Sequence, residues 1–165
     1  MVVSAARGNV GEHLVMAELL YHGFDAYWAD RGNPAFDIAC HWNPSSRATR
    51  IRVKTTSNHS AVWTVKKSGL IFLERQPVDD FTVIVDLGKG IREREIYVVD
   101  TGTLEDNLEA DHTHYVSHPK KDGNPRKSEQ GMRCIRFFGE DKPTARGWGY
   151  EKKFAQFREA WELLK

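Results

Sequence analysis

Apolar residues recur at helical spacing near the start of the chain. Val10, Leu14, Val15, Ala17, Leu19 and Leu20 supply them between Asn9 and His22, and Gly23 follows where a helix would stop. The spacing predicts a helix over 9–22. Beyond it the pattern changes to short β-rich runs. Phe24 to Ala29 is aromatic and bounded by Gly23 and Gly32, which predicts a first strand, and Gly32, Asn33 and Pro34 mark a turn. Phe36 to Trp42 and Arg50 to Thr56 read as two antiparallel strands separated by Asn43-Pro44-Ser45-Ser46. Ala61 to Lys66 is a strand or an extended loop. Phe81 to Leu87 is almost continuously apolar and β-branched, the mark of a strand buried on both faces and the candidate centre of the sheet.

Gly88-Lys89-Gly90 then turns the chain into a strand over Glu95 to Val99, after which Asp100 or Thr101 can cap a short helix through Leu108. The polar run from His112 to Gln130 predicts an exposed loop, and Met132 to Phe138 a late strand. A loop over 139–149 leads to a closing helix from Tyr150 to Lys165. There Phe154, Phe157, Trp161 and Leu164 form a single apolar stripe.

With 165 residues the chain fits one domain, 1–165, able to bury a core without metal or disulfide support. No apolar run approaches the roughly 18 residues that span a bilayer, so no membrane role is expected. The N-terminal residues are too soon polar for a secretory signal, and Cys40 and Cys134 are the only cysteines, so a reducing cytoplasm is expected. A net charge of +1 means that any polyanionic partner must be met by a local patch. Lys66, Lys67, Lys120, Lys121, Arg126 and Lys127 are the candidates for phosphate contact, against the plainer reading of solvated loops. Trp148 between two glycines is either a stacking residue for unpaired bases or an anchor for the last helix. His112, His114, His118 and Cys134 match no closed zinc spacing, and Cys40 and His41 point to opposite faces of their strand.

The candidate chemistry lies in the hairpin. Strand alternation puts Arg50, Arg52 and Lys54 on one face and Ile51, Val53 and Thr55 on the other, toward the core. Asp37 joins Arg52 and Lys54 if the strands pair in register, and a helix packed across that face would bring Glu12 close. Two carboxylates and two cations would then cluster at a sheet edge. Singly, each has a plain explanation: Asp37 as a turn-proximal acid, Lys54 as a solvated strand lysine, Glu12 as an acid stabilised by the helix dipole.

Taken in order, Gly11-Glu12, Phe36-Asp37-Ile38, Ile51-Arg52-Val53-Lys54 and the later strands over 80–87 and 96–99 resemble the PD-(D/E)XK nuclease superfamily, in particular its restriction-endonuclease-like and Holliday-junction-resolvase-like members. The resemblance spans about residues 8 to 100. It implies an α/β fold with a mixed central sheet flanked by N- and C-terminal helices, and DNA phosphodiester hydrolysis assisted by Mg²⁺ or Mn²⁺. It also implies Asp37 as principal metal ligand, Glu12 as auxiliary ligand and Lys54 as catalytic lysine. Related folds act as dimers across a duplex, so a homodimer is an expectation too.

Arg52 stands where the resemblance calls for an acid or glutamine, and a guanidinium cannot bind a cation. Three readings stay open. Arg52 pairs with Asp37 and closes the site, leaving a non-catalytic nucleic-acid- or protein-binding module. Alternatively Glu12 and Asp37 hold one Mg²⁺ while Arg52 clamps phosphate. Or an acid from elsewhere, Asp30, Glu74 or Asp79, supplies the missing ligand. In each case Arg52 is expected to lower the Lys54 pKa by like-charge repulsion.

Overall fold

A computed structural model describes residues 4–30, 32–44, 47–66, 68–88, 90–126, 131–138 and 149–165. Helix α1 (Ser4–Tyr21) is followed by β1 (Asp25–Trp28), β2 (Ile38–His41), β3 (Thr49–Thr56), β4 (Ser60–Thr64), β5 (Asp80–Asp86) and β6 (Glu95–Asp100). Helix α2 (Thr101–Ser117) and β7 (Met132–Arg136) come next, and the C-terminus forms two short 3-10 turns. The main sheet has five strands in the order β1-β2-β3-β5-β6, and β4 pairs with β7 in a separate ribbon. The first three strands run antiparallel, β3 and β5 are parallel, and β5 and β6 are antiparallel again. This is a mixed α/β fold.

Two apolar layers cover the sheet. On one side Val15 and Leu19 of α1 pack with Ile38, Cys40, Ile51, Val83, Val85, Ile96 and Val98. On the other, Leu104 and Leu108 of α2 and Ile135 of β7 pack with Ile84, Tyr97 and Val99. The alternation along β3 and β5 assigns the layers: odd positions face α1, and Arg52, Lys54, Thr82 and Ile84 face the α2 side. The centre of the sheet is therefore β3, with the continuously apolar β5 beside it.

Helix α1 approaches β3 closely at Gly11, where a Cβ would stand 1.8 Å from the Thr55 hydroxyl oxygen. Only glycine fits there, and the close approach sets the height of Glu12 above the sheet.

The structure departs from the expected elements in four places: β3 and not the strand over 81–87 is central, α1 starts at Ser4 and not at Asn9, and α2 and the C-terminal segment differ as well. Helix α2 continues past Leu108 to Ser117, because Leu104, Leu108 and Asp111 are buried along one side of it. It starts where expected, with the Asp100 carboxylate accepting the Thr103 N–H at 2.8 Å. The expected closing helix from Tyr150 to Lys165 is replaced by 3-10 turns at Ala155–Phe157 and Trp161–Leu164. Glu159 has φ of 50°, its N–H donates to Ile96 O, and Arg158 bridges to Tyr97, so the segment lies along the outer edge of β6. The flanking helices are thus α1 and α2. Phe154, Trp161 and Leu164 are buried all the same, Phe154 in the α2-side layer and the other two in the α1-side layer.

Candidate functional site

The site begins with an amide that has lost its sheet partner. Strand β2 pairs with β3 only as far as Ile51, so the Val53 N–H that faces β2 has no carbonyl opposite it. The Asp37 carboxylate accepts it at 2.7 Å. Asp37 sits just before β2, its own N–H donates to Ile51 O at 2.9 Å, and Ile38 is also the register partner of Ile51. Two residues of one strand thus oppose one of the other, the arrangement of a β-bulge, which re-aims a side chain at the end of a ladder. Burial raises the Asp37 pKa, while the Val53 amide and then the Arg52 charge pull it back down.

Asp37 lines two hollows. One, of about 320 Å³, is shared with Glu12, Asp30, Asn33 and Trp28. The other, of about 240 Å³, holds Arg52, Lys54 and Lys66 above Trp63 and Phe72. Glu12 reaches the first hollow from α1, so the helix covers the face of β3 opposite Arg52 and Lys54, not the same face as expected. The convergence of Glu12 with Asp37 survives, because Asp37 lies at a strand end where both sides of the sheet are within reach. Glu12 has its pKa raised by burial first, then by the Asp37 charge, with His13 opposing.

Lys54 is half-buried, and its ammonium lies 5.3 Å from the centre of the Trp63 ring, within cation–π range. Its pKa is lowered by burial, the direction expected, though desolvation rather than Arg52 is the cause.

Arg52 is where the expectation of an Asp37 pair fails. Its guanidinium forms a salt bridge with Asp80, donates to Leu73 O at 2.8 Å and lies 5.7 Å from the centre of the Phe72 ring. Asp80 is 1% exposed, and its second oxygen accepts the Gln76 N–H at 2.8 Å. The pair therefore ties β3 to the start of β5 and holds the wall over 71–76 on the cleft. Parallel pairing explains the choice: Arg50 is the register partner of Asp80, two residues from Arg52.

The other candidates divide. Lys66 lines the cleft. Lys120, Lys121 and Arg126 follow α2 and do not, and Arg126 instead packs 3.9 Å from the centre of the Tyr115 ring and donates to His118 O. Lys67, Lys127 and Trp148 lie outside the described residues. Of the substitute acids, Asp30 borders the Glu12 hollow, Asp79 pairs with Arg47, and Glu74 lines neither hollow. Sequence reasoning missed Asp80, Trp63, Phe72 and Trp28. The apolar wall was visible only as isolated aromatics, and Asp80 only as the residue opening a strand.

Among the described residues no group of three His, Cys, Asp or Glu side chains is placed to hold a metal ion. Glu12 and Asp37 nevertheless share a hollow, with the Asp37 charge raising the Glu12 pKa, and Mg²⁺ commonly takes only one or two protein carboxylates with water and phosphate as the rest. The residues present fit such an ion.

The architecture is a mixed α/β fold, a five-stranded sheet with α1 and α2 on its two faces. The structure is similar to that of a bacterial homing endonuclease, I-Ssp6803I, with a TM-score of 0.56 and 13% identity over 99% of this chain and 93% of that one. No protein-family model matches the chain, and no curated protein matches it. Among the described residues no helix is long and apolar enough to cross a membrane.

Proposed function

We propose that the protein is a DNA endonuclease of the PD-(D/E)XK type, hydrolysing phosphodiester bonds with a divalent cation, Mg²⁺ or Mn²⁺. The observation that carries this reading is the convergence of Glu12 and Asp37 on one hollow, with Lys54 lining a cleft that shares Asp37. The fold shared with a homing endonuclease supports it. Glu12 and Asp37 would hold the cation, which supplies a Lewis acid for the phosphoryl oxygen and lowers the pKa of water. Lys54, partly desolvated, donates hydrogen bonds to a phosphate oxygen and offsets charge that develops in the transition state. Lys66 sits on the rim of the same cleft and meets the phosphate backbone. Arg52 is engaged with Asp80 and contributes to cleft shape rather than to metal binding.

The test is a plasmid nicking assay in Mg²⁺ and in Mn²⁺. The native chain should cut, and Asp37→Ala and Lys54→Ala should each abolish cutting while the fold is retained. Undiminished cutting by either variant would refute the site.

A second reading follows from Arg52. Its locked pairing with Asp80 leaves two carboxylates where a third acidic or amide ligand is usual in the resembling superfamily. A non-catalytic DNA-binding module on the same fold is then the outcome to recognise: salt-dependent DNA binding with no cleavage in either metal.

A further inference from the structure

One large aromatic at the proposed site is left without a structural task. Trp28 ends β1, an outer strand of the sheet, and is 47% exposed. It lines the same hollow as Glu12, Asp30 and Asp37. Large aromatics are favoured in cores and at contacts, so a half-exposed indole facing a polar hollow is informative in a way that a lone surface leucine is not.

Both elements that carry the acids also hold this ring. Trp28 is the register partner of Ile38, the residue after Asp37, and the next residue, Ala29, donates its N–H to Asp37 O at 2.9 Å. On the other side His13, next to Glu12 on α1, packs against the indole with centroids 5.2 Å apart and planes tilted by 50°. The His13 ring is itself held by Asn9 O at 2.8 Å. The indole is therefore fixed relative to both carboxylates by main-chain hydrogen bonding on one side and ring packing on the other. The ring is thus held on its His13 side by a tilted contact, and the residue remains half-exposed at the hollow.

Resting on the function proposed above, we propose that Trp28 is a stacking platform for the nucleobase next to the phosphate that a cation held by Glu12 and Asp37 would bind, and that the substrate class is DNA with an unpaired or splayed base at that point. In a continuous duplex each base is stacked between its neighbours and cannot lie on a side-chain ring. A flap, junction or mismatch presents a base that can, and stacking on an aromatic ring is tolerant of sequence. Trp28 is then a specificity residue. It acts on the base while the acids act on the phosphate.

Dissociation constants measured with Ca²⁺ in place of Mg²⁺ for a fluorescently labelled single strand, a flapped duplex and a continuous duplex test this. Trp28→Ala should weaken binding of the single strand and the flap by roughly tenfold and leave the continuous duplex nearly unchanged. Trp28→Phe, which keeps a smaller ring, should recover much of the loss. A 2-aminopurine placed at the unpaired position should be quenched by the native chain and much less by Trp28→Ala. An equal loss on all three DNAs, or none, overturns the proposal. So does a Trp28→Ala chain that binds every DNA normally but sediments as a smaller species, which would make Trp28 a contact between copies. The outcome is separable from that of the nuclease reading. Selective loss of binding in a chain that never cuts leaves the platform standing and removes the catalysis. Cleavage with no dependence on Trp28 does the reverse.

Discussion

Replacing Arg52 with glutamine tests the central structural claim about the site. The Arg52 side chain is 11% exposed and that of its partner Asp80 1% exposed, so the ion pair is desolvated and Asp80 has little access to water. Removing one member of a buried pair typically costs about 3–5 kcal/mol, most of it from the charge left behind. Against a usual total of about 5–15 kcal/mol that is a large share. For a domain of this size it corresponds to a fall in Tm of roughly 6–20 °C at about 2–4 °C per kcal/mol. Urea unfolding of Arg52→Gln, Asp80→Asn and the double variant closes a cycle. The double variant should be more stable than the sum of the two single losses predicts, with a coupling of about 2–3 kcal/mol, since it leaves no unpaired charge.

The same cycle run between Arg52 and Asp37 discriminates the alternatives. Asp37 feels the Arg52 charge only as the third of three influences and makes its hydrogen bond to Val53 instead. Coupling there should stay below about 0.5 kcal/mol. A larger coupling to Asp37 than to Asp80 would refute the geometry and restore the closed-site reading. Arg52→Glu is the wrong instrument for restoring a metal ligand, because it sets a second carboxylate against a buried Asp80.

Other expectations follow from the same geometry. Burial lifts the Asp37 pKa, so its ionised form weakens the fold; stability should fall as pH rises from the unfolded value near 3.9 through the raised folded value. Asp37→Asn keeps an acceptor for the Val53 amide, so it should melt higher than the native chain at pH 7, an advantage that vanishes below about pH 3.9. Mg²⁺ should raise the Tm of the native chain, by about 2.7 kcal/mol of added stability at a hundred times Kd, and should leave that of Asp37→Asn unmoved. Lys54→Met should stabilise the fold at pH 7 while abolishing cleavage. The lowered Lys54 pKa means that the cost of its charge is full below the folded value and is relieved as pH rises through it toward the unfolded one. Gly11→Ala should destabilise the chain despite the better helix propensity of alanine, since its Cβ meets the Thr55 hydroxyl, and Thr55→Ala should restore part of the loss in urea unfolding.

What was legible in the sequence was mostly local. The spacing of Leu14, Val15 and Leu19 is set by one helix packing on one sheet, and the hairpin that joins Asp37 to Lys54 is specified by its own turn and alternation. The Arg52–Asp80 pair was not legible, because 28 residues separate its members and they meet only through parallel pairing of β3 with β5. Alternation told which β3 residues share a face, but not which layer would cover it. Glu12 was therefore joined to the correct partner from the wrong side. The C-terminal stripe at Phe154, Phe157, Trp161 and Leu164 satisfied helical spacing, yet backbone hydrogen bonds to the free edge of β6 proved the stronger constraint. Burial of an apolar set does not require the conformation whose period it matches.

The placement of α1 on the far side of β3 has a consequence for the chemistry. Had Glu12 shared a face with Arg52 and Lys54, four charges would have been packed together, and the two cations would have neutralised the acids at close range. The sheet instead separates them. Glu12 and Asp37 face one hollow, where His13 and Arg52 offset only part of their raised pKa values, while Arg52 is taken up by Asp80 and Lys54 rests on Trp63. Asp37 belongs to both sides because the β2 ladder stops at Ile51 and leaves the Val53 amide for its carboxylate. The strand end is what lets Asp37 meet Glu12 on one side of the sheet and line a cleft with Lys54 on the other.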